Sequence, residues 1–150
     1  MREHVIGLNH INVVVSDIEK SKEWYCDRLG FAVDEAFEIS EEDLSLGLGV
    51  PNAKLKVAFL TIPNSPTRVE MIEYAAPSAL PLTEGPANAV GYGHFAIEVD
   101  DVIARYEELR EKGVEFVSRP VYVTGGVRFC WMLDPDGNRV EIIQFGVDAA

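Results

Sequence analysis

Two of the chain's three histidines stand at matching points of an internal repeat. From Gly91 the sequence reads Gly-Tyr-Gly-His-Phe-Ala-Ile-Glu-Val-Asp-Asp-Val, and from Gly7 it reads Gly-Leu-Asn-His-Ile-Asn-Val-Val-Val-Ser-Asp-Ile. His10 aligns with His94 and Asp17 with Asp101 without a gap. Further on, Arg68-Val69-Glu70-Met71-Ile72 matches Arg139-Val140-Glu141-Ile142-Ile143. Each half therefore supplies one imidazole from its first strand and one carboxylate from its last. On a strand alternate residues share a face, so Glu70 lies with Ile72 and Tyr74, and Glu141 with Ile143 and Phe145. A carboxylate among apolar neighbours is costly without a partner. His10, Glu70, His94 and Glu141 converging on one point would hold a divalent cation. Two imidazoles and two carboxylates suit Zn, Ni, Co, Mn or Fe, and donor type alone does not choose among them.

A lone histidine on a strand is more often structural than a ligand, and a lone strand glutamate more often faces water. The duplication shifts that balance. Equivalent positions in two modules are hard to obtain from unrelated structural needs, and a repeat of this length has to be recognised before the fold is assigned.

The elements that position these residues follow the same repeat. Residues 5–15 read as a strand rich in β-branched residues. Ser16 with Glu19 has the pattern of a capping box, and Ile18, Tyr25 and Leu29 give the following helix one apolar face, with Gly30 as its stop. A second strand starts at Phe31. Residues 38–56 form the least regular stretch, acidic and then glycine-rich, and read as a surface excursion. Strands at 55–62 and 67–74 complete β-α-β-β-β. The second half repeats the plan: a strand over 91–99, a helix capped by Asp100 or Asp101 and ended by Gly113, then strands at 114–117, 127–133 and 139–145. Asp134-Pro135-Asp136-Gly137-Asn138 is a turn, because Pro presets φ and Gly-Asn tolerates positive φ. The expected organisation is one α+β domain over residues 1–150, with module one at about 5–75, a linker at about 76–90 and module two at about 91–146.

Composition narrows the functions. A net charge of −12 makes nucleic acid and anionic membranes poor partners. No apolar run approaches the roughly 18 residues of a membrane span, and the first residues lack the apolar core of a signal peptide, so a cytoplasmic protein is expected. Cys26 and Cys130 fall in different halves and read as reduced thiols rather than a disulfide or zinc knuckle.

The paired modules, the histidine followed seven residues later by Asp17 or Asp101, and Asp134-Pro135-Asp136-Gly137 ahead of Glu141 together resemble the vicinal oxygen chelate superfamily. That group includes glyoxalase I, methylmalonyl-CoA epimerase, extradiol dioxygenases and the fosfomycin and bleomycin resistance proteins. The resemblance covers nearly the whole chain and implies a curved, barrel-like mixed sheet around a metal-binding cavity, one divalent ion and a homodimer. The His, Glu, His, Glu set is similar to that of bacterial glyoxalase I. Epimerases usually have Gln at the place of Glu70. Ring-cleaving iron dioxygenases add a further histidine as acid–base catalyst, and here only His4 remains. Bleomycin-binding members lack the metal set that is intact here. Two features cut across the glyoxalase likeness. Glyoxalase I tends to carry an arginine four residues after the first ligand, where this chain has Val14. Conversely, Val57-Ala58-Phe59-Leu60 with Arg68 to Glu73 resembles the first module of the epimerase.

The resemblance implies a metal-dependent lyase or isomerase that removes a proton beside a metal-bound carbonyl of a small 2-oxo, hemithioacetal or acyl-thioester substrate. The base must lie within hydrogen-bond reach of that carbon, which makes Glu141 and Glu70 the candidate catalytic residues, Glu141 first. The alternatives are an epimerase of the methylmalonyl-CoA type, an iron-dependent ring-cleaving dioxygenase, and a non-catalytic binder of a drug or metabolite. Asn12 shares the face of His10 and is a candidate substrate contact, with a structural role equally open; Trp131 and Arg128 are weaker candidates, since core packing is the better explanation of Trp131 and exposure on a strand suffices for Arg128.

Overall fold

A computed structural model describes residues 6–81, 88, 90–91 and 93–148. The chain divides into two compact units, Met1–Pro81 and Leu82–Ala150. Of the expected linker, residues 82–87 and 89 lie outside the described residues, as do Met1 to Val5.

The first unit contains β1 (His10–Val14), α1 (Ile18–Leu29), β2 (Ala32–Ile39), α2 (Glu42–Leu48), β3 (Lys54–Thr61) and β4 (Arg68–Ala76). Its sheet has the order β1-β4-β3-β2, with β1 parallel to β4 and the other pairs antiparallel. Ile18, Ser21, Tyr25 and Leu29 are the buried positions of α1, the stripe that its apolar spacing requires. The helix packs on β3 and β4, over a sheet face that buries Val13, Val15, Ala58, Leu60, Val69 and Met71. On the opposite face Leu55, Val57 and Ile72 form a cluster with Ile39, Leu44, Phe59 and Tyr74.

Two details differ from the sequence expectation, while the stop of α1 at Gly30 agrees with it. The cap of α1 is Asp17 rather than Ser16: Asp17 is extended, and its carboxylate accepts the amides of Glu19 and Lys20 at 3.0 Å each. Those are the second and third amides of the helix, which Ser16, one residue earlier, is not placed to take. Gly30 ends the helix with φ 72°, a left-handed conformation that glycine adopts without strain. The excursion at 38–56 is also more ordered than its composition suggests. β2 runs to Ile39, and α2 places Leu44 on the apolar cluster while the Ser45 hydroxyl accepts the Ala53 amide at 2.9 Å.

The second unit contains β5 (Phe95–Glu98), α3 (Val102–Glu111), β6 (Glu115–Phe116), β7 (Val121–Val123), β8 (Val127–Leu133) and β9 (Arg139–Phe145). Its sheet runs β5-β9-β8-β6, with β7 also on β8, and β5 lies parallel to β9. The topology repeats that of the first unit, with β6 and β7 together in the place of β2. Pro120 falls between them, where a residue without an amide hydrogen cannot continue a ladder. β7 has no counterpart in the sequence expectation, and β5 is shorter than expected, so His94 precedes it. Asp101 caps α3 by accepting the Ala104 amide at 3.0 Å. The Asp134 carboxylate accepts the amides of Asp136 at 2.9 Å and Asn138 at 2.8 Å, while Gly137 takes φ 85°. This turn fixes where β9, and with it Glu141, begins. The α+β class holds, and no helix among the described residues is long and apolar enough to cross a membrane.

The repeat also extends to a contact that the sequence reading did not single out. Glu73 Oε2 accepts the Ile18 amide at 2.8 Å, and its Oε1 accepts Lys56 Nζ at 2.7 Å. At the matching place Gln144 Oε1 accepts the Val102 amide at 3.1 Å, and its Nε2 donates to the Asp100 carbonyl. In both units a side chain of the last strand thus takes the first amide of the helix, an amide left without a partner inside the helix itself. Burial pushes the Glu73 carboxyl upward, but Lys56 and the Ile18 amide outweigh it and hold the group below its ordinary value of 4.5. A lowered folded-state value stabilises the fold above the unfolded value and loses that contribution as pH falls through the folded one. Glu73→Ala should therefore cost about 1–3 kcal/mol at neutral pH, mainly from the orphaned Ile18 amide. Part of the difference from wild type should vanish below about pH 4 in urea titrations run across pH.

Candidate metal centre

In the first unit His10 opens β1, and Glu70 is the third residue of β4. The parallel register sets Asn12 beside Glu70 and His10 beside Arg68. His10 Nε2 lies 3.3 Å from Glu70 Oε2, with the side chains 37% and 20% exposed. Two amide side chains complete the arrangement. Asn9 Oδ1 sits 2.9 Å from His10 Nδ1, and Asn12 Nδ2 donates to Glu70 Oε2 at 3.2 Å and to the Glu70 carbonyl at 3.3 Å. Phe59, opposite Glu70 on β3, meets the His10 ring edge-on at 5.7 Å. Arg68 lies over Phe59 at 4.2 Å and is bound by Asp34 at 3.0 Å and Glu35 at 3.2 Å, so its charge is directed to those acids rather than to Glu70.

In the second unit His94 Nε2 lies 2.7 Å from Glu141 Oε2, with the side chains 33% and 11% exposed. Gly93 and Ala96 stand where the first unit has Asn9 and Asn12. The surroundings are aromatic instead. Trp131, opposite Glu141 on β8, lies 4.9 Å from the His94 ring, with Phe129 6.5 Å beyond it and the Arg139 guanidinium 6.0 Å from its centre. The Trp131 indole nitrogen is buried and has no hydrogen-bond partner among the described residues.

The sequence candidates therefore separate. Each unit brings its histidine and glutamate together. Asn12 is beside Glu70, with its amide engaged by that carboxylate, and Trp131 is beside His94. Arg128 is different: it pairs with Gln144, one residue out of phase with Trp131 and Glu141. Alternation places it on the sheet face that carries the Gln144–α3 contact, away from the His94–Glu141 pair. Asn9 was missed, although an asparagine immediately before a candidate ligand histidine is a readable signal. Among the described residues no three His, Cys, Asp or Glu side chains gather at one point.

The chemistry of the first pair can be tested against a cation. A carboxamide oxygen only accepts, so the contact with Asn9 engages His10 through Nδ1–H and leaves Nε2 as the nitrogen that faces Glu70. Two acceptors 3.3 Å apart repel unless a second proton or a cation lies with them. A ligand histidine oriented through its other nitrogen is the usual form of a metal site, and the imidazole–carboxylate donor set fits a divalent transition ion.

The fold and the paired donors define a class. A family model described as the Glyoxalase/Bleomycin resistance protein/Dioxygenase superfamily matches residues 7–142, and the chain belongs to that superfamily. Two relatives and one solved structure give the range within it. A probable lactoylglutathione lyase of Synechocystis is 26% identical over 140 residues, spanning 91% of this chain and 94% of that protein. The mitochondrial methylmalonyl-CoA epimerase of Mus musculus is 31% identical over 113 residues, spanning 74% of this chain and 56% of that protein. A glyoxalase family protein from Bacillus cereus superposes with a TM-score of 0.83 at 17% identity, covering 96% of this chain and 97% of that one.

Cys130 precedes Trp131 on β8 and so faces away from the second pair, beside Ile142 in the register. Burial, and then the Glu141 charge, push its thiol up to about 12. In the native protein at pH 8 Cys130 should resist iodoacetamide, and it should label only on unfolding, as mass spectrometry of the two cysteine peptides would report.

Proposed function

We propose that His10, Glu70, His94 and Glu141 are the ligands of one divalent metal ion, and that the protein is a lyase or isomerase acting on a C–H bond next to a carbonyl. The observation that supports this most is the duplicated imidazole–carboxylate pair, at 3.3 Å in one unit and 2.7 Å in the other. The ion would act as a Lewis acid on the substrate carbonyl, making the neighbouring carbon acidic. Glu141 acts as the base. It is the more buried carboxylate, and among the described residues its side chain contacts His94 and no side-chain amide. Return of the proton to the neighbouring carbon gives isomerisation, and its return to the same carbon from the opposite face gives epimerisation. Trp131 forms an apolar wall beside His94 that limits water at the reacting carbon.

Substrates of the 2-oxo, hemithioacetal and acyl-thioester classes share the acidic C–H that this chemistry requires. Val14, on the face of His10 and 42% exposed, offers no charge for a substrate carboxylate, which favours a thioester or simple 2-oxo compound over a glutathione adduct. The likeness to the mouse epimerase supports that choice. A cytoplasmic homodimer completes the proposal, the ligand set being closed within one chain or across two.

Metal-reconstituted protein incubated with 2-oxo and acyl-thioester substrates in D2O should place deuterium at the carbon beside the carbonyl, and chelation should abolish the exchange. Glu141→Gln should slow that exchange by roughly 100-fold or more. Oxygen consumption on a catechol, without deuterium exchange under any metal, would replace this reading with a dioxygenase.

A further inference from the structure

The two pairs are built from the same strands but supported differently. Beside His10 and Glu70 stand two carboxamides, Asn9 on the imidazole at 2.9 Å and Asn12 on the carboxylate at 3.2 Å. Asn12 is fixed in turn, since the same amide nitrogen bonds the Glu70 carbonyl at 3.3 Å and its backbone lies in the β1–β4 ladder. At the equivalent places Gly93 and Ala96 have no group that can do this.

We propose that Asn9 and Asn12 are positioning residues that make His10–Glu70 the fixed half of the metal centre, the half that captures the ion, and leave His94–Glu141 as the adaptable half. This rests on the metal reading above. Asn9 selects the His10 tautomer with its lone pair on Nε2, and Asn12 restrains Glu70 Oε2 in the orientation that faces it. Both act before any ion arrives, so the entropy of ordering the first two ligands is already removed. Asn12, considered from sequence as a substrate contact, has its amide committed to Glu70 instead. Among the described residues Glu141 has no such amide, so it would leave the ion without breaking a bond of that kind.

The test uses Co(II) alone as the probe, with affinity read by chelator competition and coordination by its visible absorption bands. Because Ala96 and Gly93 occupy the equivalent positions of the second unit, Asn12→Ala and Asn9→Gly are compatible with the fold. Each should weaken Co(II) binding by about 10- to 100-fold and alter the absorption bands, with an unchanged metal-free melting midpoint. Glu70→Gln should likewise lose more affinity than Glu141→Gln. Wild-type affinity in both asparagine variants, or a greater loss in Glu141→Gln than in Glu70→Gln, would overturn the inference while leaving the metal centre standing. Should Asn12→Ala lower the metal-free midpoint, Asn9→Gly, which lies outside the strand, decides alone. Failure of the wild-type protein to take up Co(II) at all would instead remove the metal reading, and this inference with it.

Discussion

The parallel pairing of the first and last strands in each unit is the constraint on which the rest depends. It joins β1 to β4 and β5 to β9, and so brings a histidine to a glutamate 47 residues away in the second unit. A parallel pair needs a long crossover, and here the helix and the middle strands supply it. The helix is bound at its start by a side chain of that same last strand, Glu73 or Gln144, so the crossover and the ladder are fixed by one element. The site chemistry thus comes from strands that are distant in sequence, and their register is tied to the placement of a helix cap.

Much of this was legible in the sequence because it was written twice. The His–Glu positions came from matching one half against the other, and the helix stops and the turn before β9 from the conformational preferences of glycine and proline. The reading failed where local pattern was weak or where the two halves diverge. Ser16 looked like a cap because it completes a capping box with Glu19, but the helix begins one residue later and Asp17 takes the role. α2 was hidden because its stability comes from Leu44 on a distant cluster rather than from its own glycine-containing sequence. β7 lies beyond Pro120, and a three-residue strand carries little periodicity. Arg128 shows a different limit: it lies three residues from Trp131 on one strand, so alternation puts the two side chains on opposite faces.

The halves diverge around their histidine–glutamate pairs. Two carboxamides adjoin the first pair, beside the Phe59 ring, whereas Trp131 adjoins the second, although the strands beneath are equivalent. On the metal reading proposed above, a duplicated fold offers two copies of each ligand position, and only one copy needs to be held still. The other can change its partners, and its aromatic neighbours keep the local dielectric low, which strengthens each interaction that the carboxylate makes.

The outer strand of each sheet has one further consequence. β2 and the broken β6–β7 pair end their sheets with backbone groups able to recruit a foreign strand. One edge is roughened by a register shift between Val33 and Glu35 and lined by Asp34, Glu35 and Glu38; the other is interrupted at Pro120. Duplicated sheets of similar sequence are at particular risk of adding to one another. The two halves have blunted these edges by different means, charge and a bulge in one and a missing amide in the other.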